Sequence, residues 1–550
     1  MKKVLISLLA IFLLVACDVA ASGVIETKTT ATTATASTAI AGEVKSVKNV
    51  DADVTVDLAE VSASNDKVSV SVNDDGNIQI TNKTDSMLSV ALTGSFNGTV
   101  IVKSSTDMTL VFNGVEISAS TLPALQLKGD VTYTFSLPEG SSSILSDSSD
   151  NTKKGAITAD GSVVIDGSGS LFLNVYKKHG FKLDGGLTVN GGSVVINGDS
   201  LAEGNMVSAD LWFVMNNGSL TIIANGSVYT SESKGIKVNG VEGYDGHCGY
   251  VEINGGTINI TSVGKAITAG WDVDDDATTT DTSDDPDASV YINGGNITVK
   301  TTGTPYEYSE EESLSPEGIE GKDKVVINGG TIEIVTTDDS INAGNLIQIN
   351  GGVIYAKATA NDCVDSNGTI QINGGILVAL CTTGGAEQAI DCDSDSNFSY
   401  TGGTFIGLGG GNNIPSGSAT SAYSITCGSS SYKAGDQIAV LDSDGKVVAG
   451  FIVPSDFSSG TCLAIGSENI SGSKTYTLAK GSFKGAVTVN GVVQSCTSFT
   501  TSSTLGTYTT TTYANSSGYT GMNVGQQGGQ PGNFQPGQQG GFPQGGPGRF

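Results

Sequence analysis

Residues 317–391 repeat one short phrase with a polar or charged residue on each side. The four copies are Glu317-Gly318-Ile319-Glu320, Asp339-Ser340-Ile341-Asn342, Asp362-Cys363-Val364-Asp365 and Gln388-Ala389-Ile390-Asp391. The step from Glu320 to Asn342 is 22 residues, and from Asn342 to Asp365 it is 23. A second phrase interleaves at the same steps: Val326-Ile327-Asn328-Gly329-Gly330, Gln348-Ile349-Asn350-Gly351-Gly352 and Gln371-Ile372-Asn373-Gly374-Gly375. Two phrases sharing one period near 22–23 residues are the mark of a solenoid, one period per coil.

Within a period an apolar, β-branched phrase is followed by Asn-Gly-Gly and then by a second apolar phrase such as Thr331-Ile332-Glu333-Ile334-Val335. Alternation of period two is the signature of a half-buried strand. Asn and Gly accept the left-handed backbone of a sharp corner, and β-branched residues resist it. Two glycines per period would cost a helix about 2 kcal/mol against alanine. The expected fold class is therefore all-β: a parallel β-helix of short strands, its coils about 4.8 Å apart and filled by Ile, Val and Leu.

Stacking assigns the charges. With Ile341, Val364 and Ile390 inside, Asn342, Asp365 and Asp391 point outward in one column, with Asp339 and Asp362 in a second column beside it. Like charges at that spacing repel by roughly 3–4 kcal/mol per pair at an effective dielectric of 20. A divalent cation relieves the repulsion, and calcium takes about six to eight oxygen ligands. The alternative is a solvated acidic face screened by salt.

The 550-residue chain has 27 basic and 56 acidic residues, a net charge of −29. That balance argues against nucleic acid and anionic lipid as direct partners. It favours cations, neutral sugars, or anionic polymers held through a cation. With 75 glycines and 6% aromatics, the composition suits tight turns and thin cores.

In chain order, Lys2-Lys3 and the apolar run 4–15 form a signal peptide over 1–16, too short for a stable transmembrane helix. Leu14-Val15-Ala16-Cys17 resembles a bacterial lipobox, which implies lipid on Cys17 and an extracytoplasmic, membrane-anchored lipoprotein at the cell surface or in the periplasm. Residues 17–47 carry that Cys and a flexible Thr/Ala/Ser-rich linker. Residues 48–410 are expected to form the β-helix, with irregular first coils to about 150. Residues 411–500 lose the period and are read as a small β region closing the end. The Thr/Ser-rich and then Gly/Gln/Pro-rich stretch 501–550 is expected to be disordered. Two long spacings within the repeat, around 271–287 and 306–315, are read as projecting loops.

Three features together carry a family resemblance: Leu110-Val111-Phe112-Asn113-Gly114-Val115, the run from Ser162 to Leu171, and the recurring Ile-Asn-Gly-Gly corners. With the closing stretch Tyr432 to Gly481, their ordered succession resembles the secreted bacterial carbohydrate-binding β-helix family first described as a clostridial cellulose and polygalacturonate binder. The resemblance implies a right-handed parallel β-helix, bound calcium, binding of acidic plant polysaccharide, and likeness to calcium-dependent pectate lyases. On the family's calcium positions it places the acidic phrases Glu317, Glu320, Asp339, Asp362, Asp365 and Asp391, and Asn342 shares their column.

Upstream, the positions of the acidic phrase are basic, with Lys234, Lys237 and Lys265. These lysines are candidates for binding anionic sugar or pairing with neighbouring carboxylates. Alternatively, Lys265 or Lys237 is the base of a polysaccharide lyase, removing a proton that a cation has acidified. Trp271, Tyr306 and Tyr308 in the projecting loops either stack on sugar faces or pin the loops down. The Asn column from Asn190 to Asn373 is read as a ladder of amides bonding corner backbone between coils. Seven cysteines besides Cys17 form no CxxC pair, which argues against zinc. The leading reading is a surface lipoprotein that binds acidic polysaccharide through calcium without chemistry. The rivals are a calcium-dependent pectate lyase and a structural adhesin or spacer.

Overall fold

The computed structural model describes residues 42–226, 233–271, 285–309 and 312–517. The signal peptide, Cys17, most of the linker, the acidic run 272–284 and the tail from 518 lie outside the described residues, as does the side chain of Tyr308. The described chain is all-β, with helical structure confined there to the turn Asp395–Asn397.

Each regular period contributes three strands. Lys324–Ile327, Thr331–Thr336 and Ile341–Ala343 are followed by Leu346–Ile349, Val353–Ala358 and Val364–Ser366. Every strand pairs in parallel with its equivalent one period later. The same three ladders run upstream to the first parallel pairing, between Val54–Asp57 and Leu88–Asn97. Two antiparallel pairings, Val54–Asp57 with Ser62–Ala63 and Val68–Val72 with Ile78–Asn82, finish the N-terminal end.

Register follows the apolar pattern. Ile267, Ile319, Ile341 and Val364 lie opposite one another on successive rungs, all fully buried. Ile292, Ile327, Ile349 and Ile372 form a second inner column. Each such side chain contributes about 1.5–3 kcal/mol by leaving water. A slip of one residue would turn a whole column to solvent, so the register is strongly fixed. At the corners Gly330 and Gly352 take φ of +94° and +87°. A Cβ on Gly352 would also sit 3.0 Å from the backbone of Gly329 and Gly330.

The Asn column is a ladder, with one difference from expectation. Its bonds run from amide to amide instead of to backbone. Asn216 donates to Asn190, Asn254 to Asn216, Asn293 to Asn254, Asn328 to Asn293, Asn350 to Asn328 and Asn373 to Asn350, all at 2.8–2.9 Å. Equivalent corners stack so closely that each amide meets its copy before it meets a carbonyl.

The strand Thr404–Gly409, which pairs in parallel with Ile376–Cys381, pairs antiparallel on its other side with Phe457–Ser467. A six-stranded sheet then follows from Gln437–Leu441 to Ser498–Thr509, with Ile438, Phe451 and Tyr476 in a buried cluster that also takes in Val378 and Ile406 of the parallel strands. Here the expectation for 501–550 is corrected at its start. Ser498–Thr509 pairs along Thr475–Lys484, and Ala514–Ser517 pairs with Ser424–Tyr432. The Thr-rich composition that reads as a linker is also that of a strand, since Thr is β-branched, and Tyr508 is buried. The seven described cysteines are free thiols, six of them buried, and Cys363 packs in the core.

Candidate cation and carbohydrate site

The 13-stranded ladder that contains Ile319–Gly321 carries the site on its outer side. From Val207–Ala209 to Val364–Ser366 its strands are three residues long, so the middle residue points outward and its neighbours point inward. Register makes one outer column of these middle residues: Lys182, Ser208, Lys237, Thr268, Glu320, Asn342, Asp365 and Asp391. Three residues earlier on each rung lies a flanking set: Lys234, Lys265, Glu317, Asp339, Asp362 and Gln388. Basic residues give way to acidic ones once, between the rung of Lys265 and that of Glu317.

At the acidic end Asp362, Asp365 and Asp391 bring carboxylate oxygens within 4.8 Å of one another. The Gln388 amide donates to Asp391 at 2.5 Å, and the Gln388 backbone N–H donates to Asp362. Asn342 donates to one oxygen of Asp339 at 2.9 Å. The other Asp339 oxygen is buried with no hydrogen-bond partner, on a residue only 4% exposed. Burial, with Glu317 and Asp365 adding repulsion, pushes the Asp339 carboxyl up to about 10. Burial and the Asp391 charge push Asp365 up to about 7. Asp362 and Asp391 are raised as well, first by burial. An all-oxygen donor set that resists carrying its own charge fits a hard divalent cation, with Asp339, Asn342, Asp362, Asp365 and Asp391 as its holders.

Glu317 and Glu320 pair with lysines. Lys265 Nζ lies 2.9 Å from Glu317 Oε2 and 2.6 Å from Glu320 Oε1. Thr268 donates to Glu320 at 2.6 Å, and Lys322 approaches it at 3.3 Å. Lys265 stands one rung before Glu317 and bridges both glutamates. Burial works to discharge Lys265, but Glu317 and Glu320 outweigh it and raise the pKa above the usual lysine value. Burial likewise opposes the charge on Glu320, yet Lys265 and Lys322 hold its pKa low. Glu317 is raised, by burial first. Of the readings for Lys265, pairing with neighbouring carboxylates is the one this arrangement shows, with Glu317 and Glu320 as the partners. Lys237 remains on the surface side of the same column.

Beside this ion cluster is a cleft of about 340 Å³. Lys234, Lys237, Lys265 and Lys322 line it, with Thr268, Gly270, Glu320 and the segment Ser313–Ser315. The sequence singled out three of these lysines and missed Lys322, although it follows Glu320 by two residues and so shares its outward face. Ser313–Ser315 arrives from the two-stranded hairpin of Tyr306–Ser309 and Glu312–Leu314. Two of the three candidate aromatics turn polar atoms inward: the Trp271 indole nitrogen and the Tyr306 hydroxyl are buried.

A profile of the family described as carbohydrate-binding domain-containing protein matches residues 74–363, more than half of the chain. The chain belongs to this family. The matched span of this carbohydrate-binding protein contains the lysine cleft, Glu317, Glu320, Asp339 and Asp362, and stops just before Asp365 and Asp391. No curated protein matches. A solved structure, the polysaccharide lyase-like protein from C. thermocellum in a gadolinium derivative, is similar at 18% identity over 55% of this chain and 97% of its own, with a TM-score of 0.37.

Proposed function

We propose that this carbohydrate-binding protein holds acidic polysaccharide through calcium and does no chemistry on it. The carrying observation is the convergence of Asp362, Asp365 and Asp391 beside the unpartnered buried oxygen of Asp339. A chain of net charge −29 repels a polyuronate unless a cation joins the two sets of carboxylates. Bound calcium supplies coordination positions that carboxylates of the sugar complete. The residues of this chain orient the ion and set its place on the ladder. We further infer that the three ladders wind as a right-handed parallel β-helix, the hand that parallel strand crossovers take. An N-terminal lipid on Cys17 would hold the protein outside the cytoplasm, with polysaccharide as its partner.

Isothermal titration with polygalacturonate tests the reading. Binding is expected in calcium, is expected to vanish in EDTA, and weakens about tenfold or more in Asp365→Asn. Full affinity in chelator would refute the cation bridge.

A further inference from the structure

We propose that Trp212 and the stacked rings of His247 and Tyr250 form a sugar-stacking platform, separate from the cation site, that takes the flat C–H face of an uncharged pyranose unit. The proposal draws on the family to which the chain belongs, whose match spans all three residues, and it needs no bound cation.

Register places the platform. Trp212–Met215 and Tyr250–Ile253 pair in parallel on neighbouring rungs, with Trp212 directly opposite Tyr250. The next residues, Phe213 and Val251, are buried in the core, so Trp212 and Tyr250 point outward. One rung earlier the same column holds Gly186, since Leu187 pairs with Phe213. The indole lies over that glycine. A Cβ on Gly186 would meet indole Cε2, Nε1 and Cδ2 at 2.2, 2.3 and 2.4 Å. Three nearly equal distances mean that the ring is broadside to the sheet, with one face on the Gly186 backbone and the other turned away from it. The indole N–H donates to Thr188 Oγ1 at 3.2 Å, which fixes the rotation of the ring within its plane.

His247 completes the surface. Its imidazole stacks on the Tyr250 ring, with 4.2 Å between centroids and 10° between planes. His247 Nε2 lies 2.7 Å from Asp287 Oδ2, which also accepts the Tyr291 hydroxyl at 2.8 Å. A polar contact and a stack thus hold a side chain that is 60% exposed. Packing alone does not explain this, because an exposed ring removes little apolar surface from water. An exposed ion pair adds only about 0–1 kcal/mol. Rings fixed in place before binding suit a sugar face, since their ordering entropy is lost on folding and not on association.

The rim gives the ligand class. Asp287 adjoins the imidazole, and Glu252, two residues after Tyr250 on the same strand, faces outward beside it. Carboxylates accept hydrogen bonds from sugar hydroxyls and repel a uronate carboxylate. The platform therefore suits an uncharged pyranose with equatorial hydroxyls, whose faces carry C–H bonds, and not the acidic units proposed for the cation site.

Titration in EDTA keeps the cation site out of the measurement. Hexaoses of β-1,4-linked glucose, xylose and mannose serve as uncharged probes, and hexagalacturonate as the charged one. Calorimetry should detect binding of at least one uncharged hexaose to the wild type. Its affinity should fall by about tenfold in Trp212→Ala and in His247→Ala. Trp271→Phe leaves Trp212 as the single indole, whose emission should change on titration with the same hexaose. Melting temperatures check that each variant keeps the fold, and His247→Ala, which removes an exposed ring, decides the matter if Trp212→Ala does not fold. Silence of all the uncharged hexaoses, or binding that His247→Ala leaves intact and Trp212 emission does not register, overturns the platform. Binding of hexagalacturonate in EDTA that His247→Ala abolishes overturns the assignment to uncharged sugar. Failure of the platform leaves cation-bridged binding of polygalacturonate in calcium untouched, and the reverse holds too.

Discussion

Asp339 shows how a single residue can keep bonding capacity that nothing among the described residues uses. One of its oxygens is satisfied by Asn342 and the other by nothing, inside a wall of carboxylates. Such a group stores a dependence of stability on pH. Asp365 and Asp339 have folded pKa values raised to about 7 and about 10, above the ordinary aspartate value of the unfolded chain. An acid raised on folding favours the fold while it is protonated, and that contribution is lost as pH climbs from the unfolded to the folded pKa. In chelator the melting temperature should therefore fall between about pH 4 and about pH 10, and calcium should flatten the fall. Asp365→Asn should make the slope shallower up to about pH 7, leaving the share of Asp339 in place. A melting temperature that rises over this range in chelator would contradict the account. The Asp365 and Asp391 column is legible in the sequence because equal spacing places equal residues on equal sides. Pairing of Lys265 with a neighbouring carboxylate is one of the readings its position allows, but Glu317 as the partner is not legible, because a projecting loop separates the two by 52 positions on adjacent rungs.

Elements repeat here because each strand is too short to stand alone. A strand of three residues, such as Ile319–Gly321, has one outward side chain and relies on parallel neighbours for its hydrogen bonds. Corners determine whether the next strand arrives in register. Gly352 holds its corner at φ +87° against the corner one rung earlier. Gly352→Ala should cost about 1–3 kcal/mol, read by urea unfolding, because a side chain there meets both a strained backbone and a close neighbour. An unchanged unfolding midpoint would mean the corner relaxes freely. The strands and corners of residues 317–391 could be read from alternation and Asn-Gly-Gly alone. The strand Ser498–Thr509 could not, since its Thr and Ser residues alternate with little apolar contrast and only its pairing with Thr475–Lys484 reveals it.

At the scale of the molecule, the sequence of coils is regular enough to suggest stacking from end to end, and the way the stack stops was the less visible part. Loss of the period after residue 410 announces a change without naming its geometry. The change is a reversal of strand direction, with Phe457–Ser467 laid against Thr404–Gly409. A repeat that adds identical layers has no built-in reason to end at its own length, and an exposed final layer is a template for another chain. The reversed strand acts as a terminator. Truncation after residue 410 should leave the upper layer open and give head-to-tail polymers, visible as a concentration-dependent rise in light scattering. A truncated chain that stays monomeric would show that the layer is shielded by other means. The closing sheet is thus what makes a potentially endless fibre into a particle of fixed length.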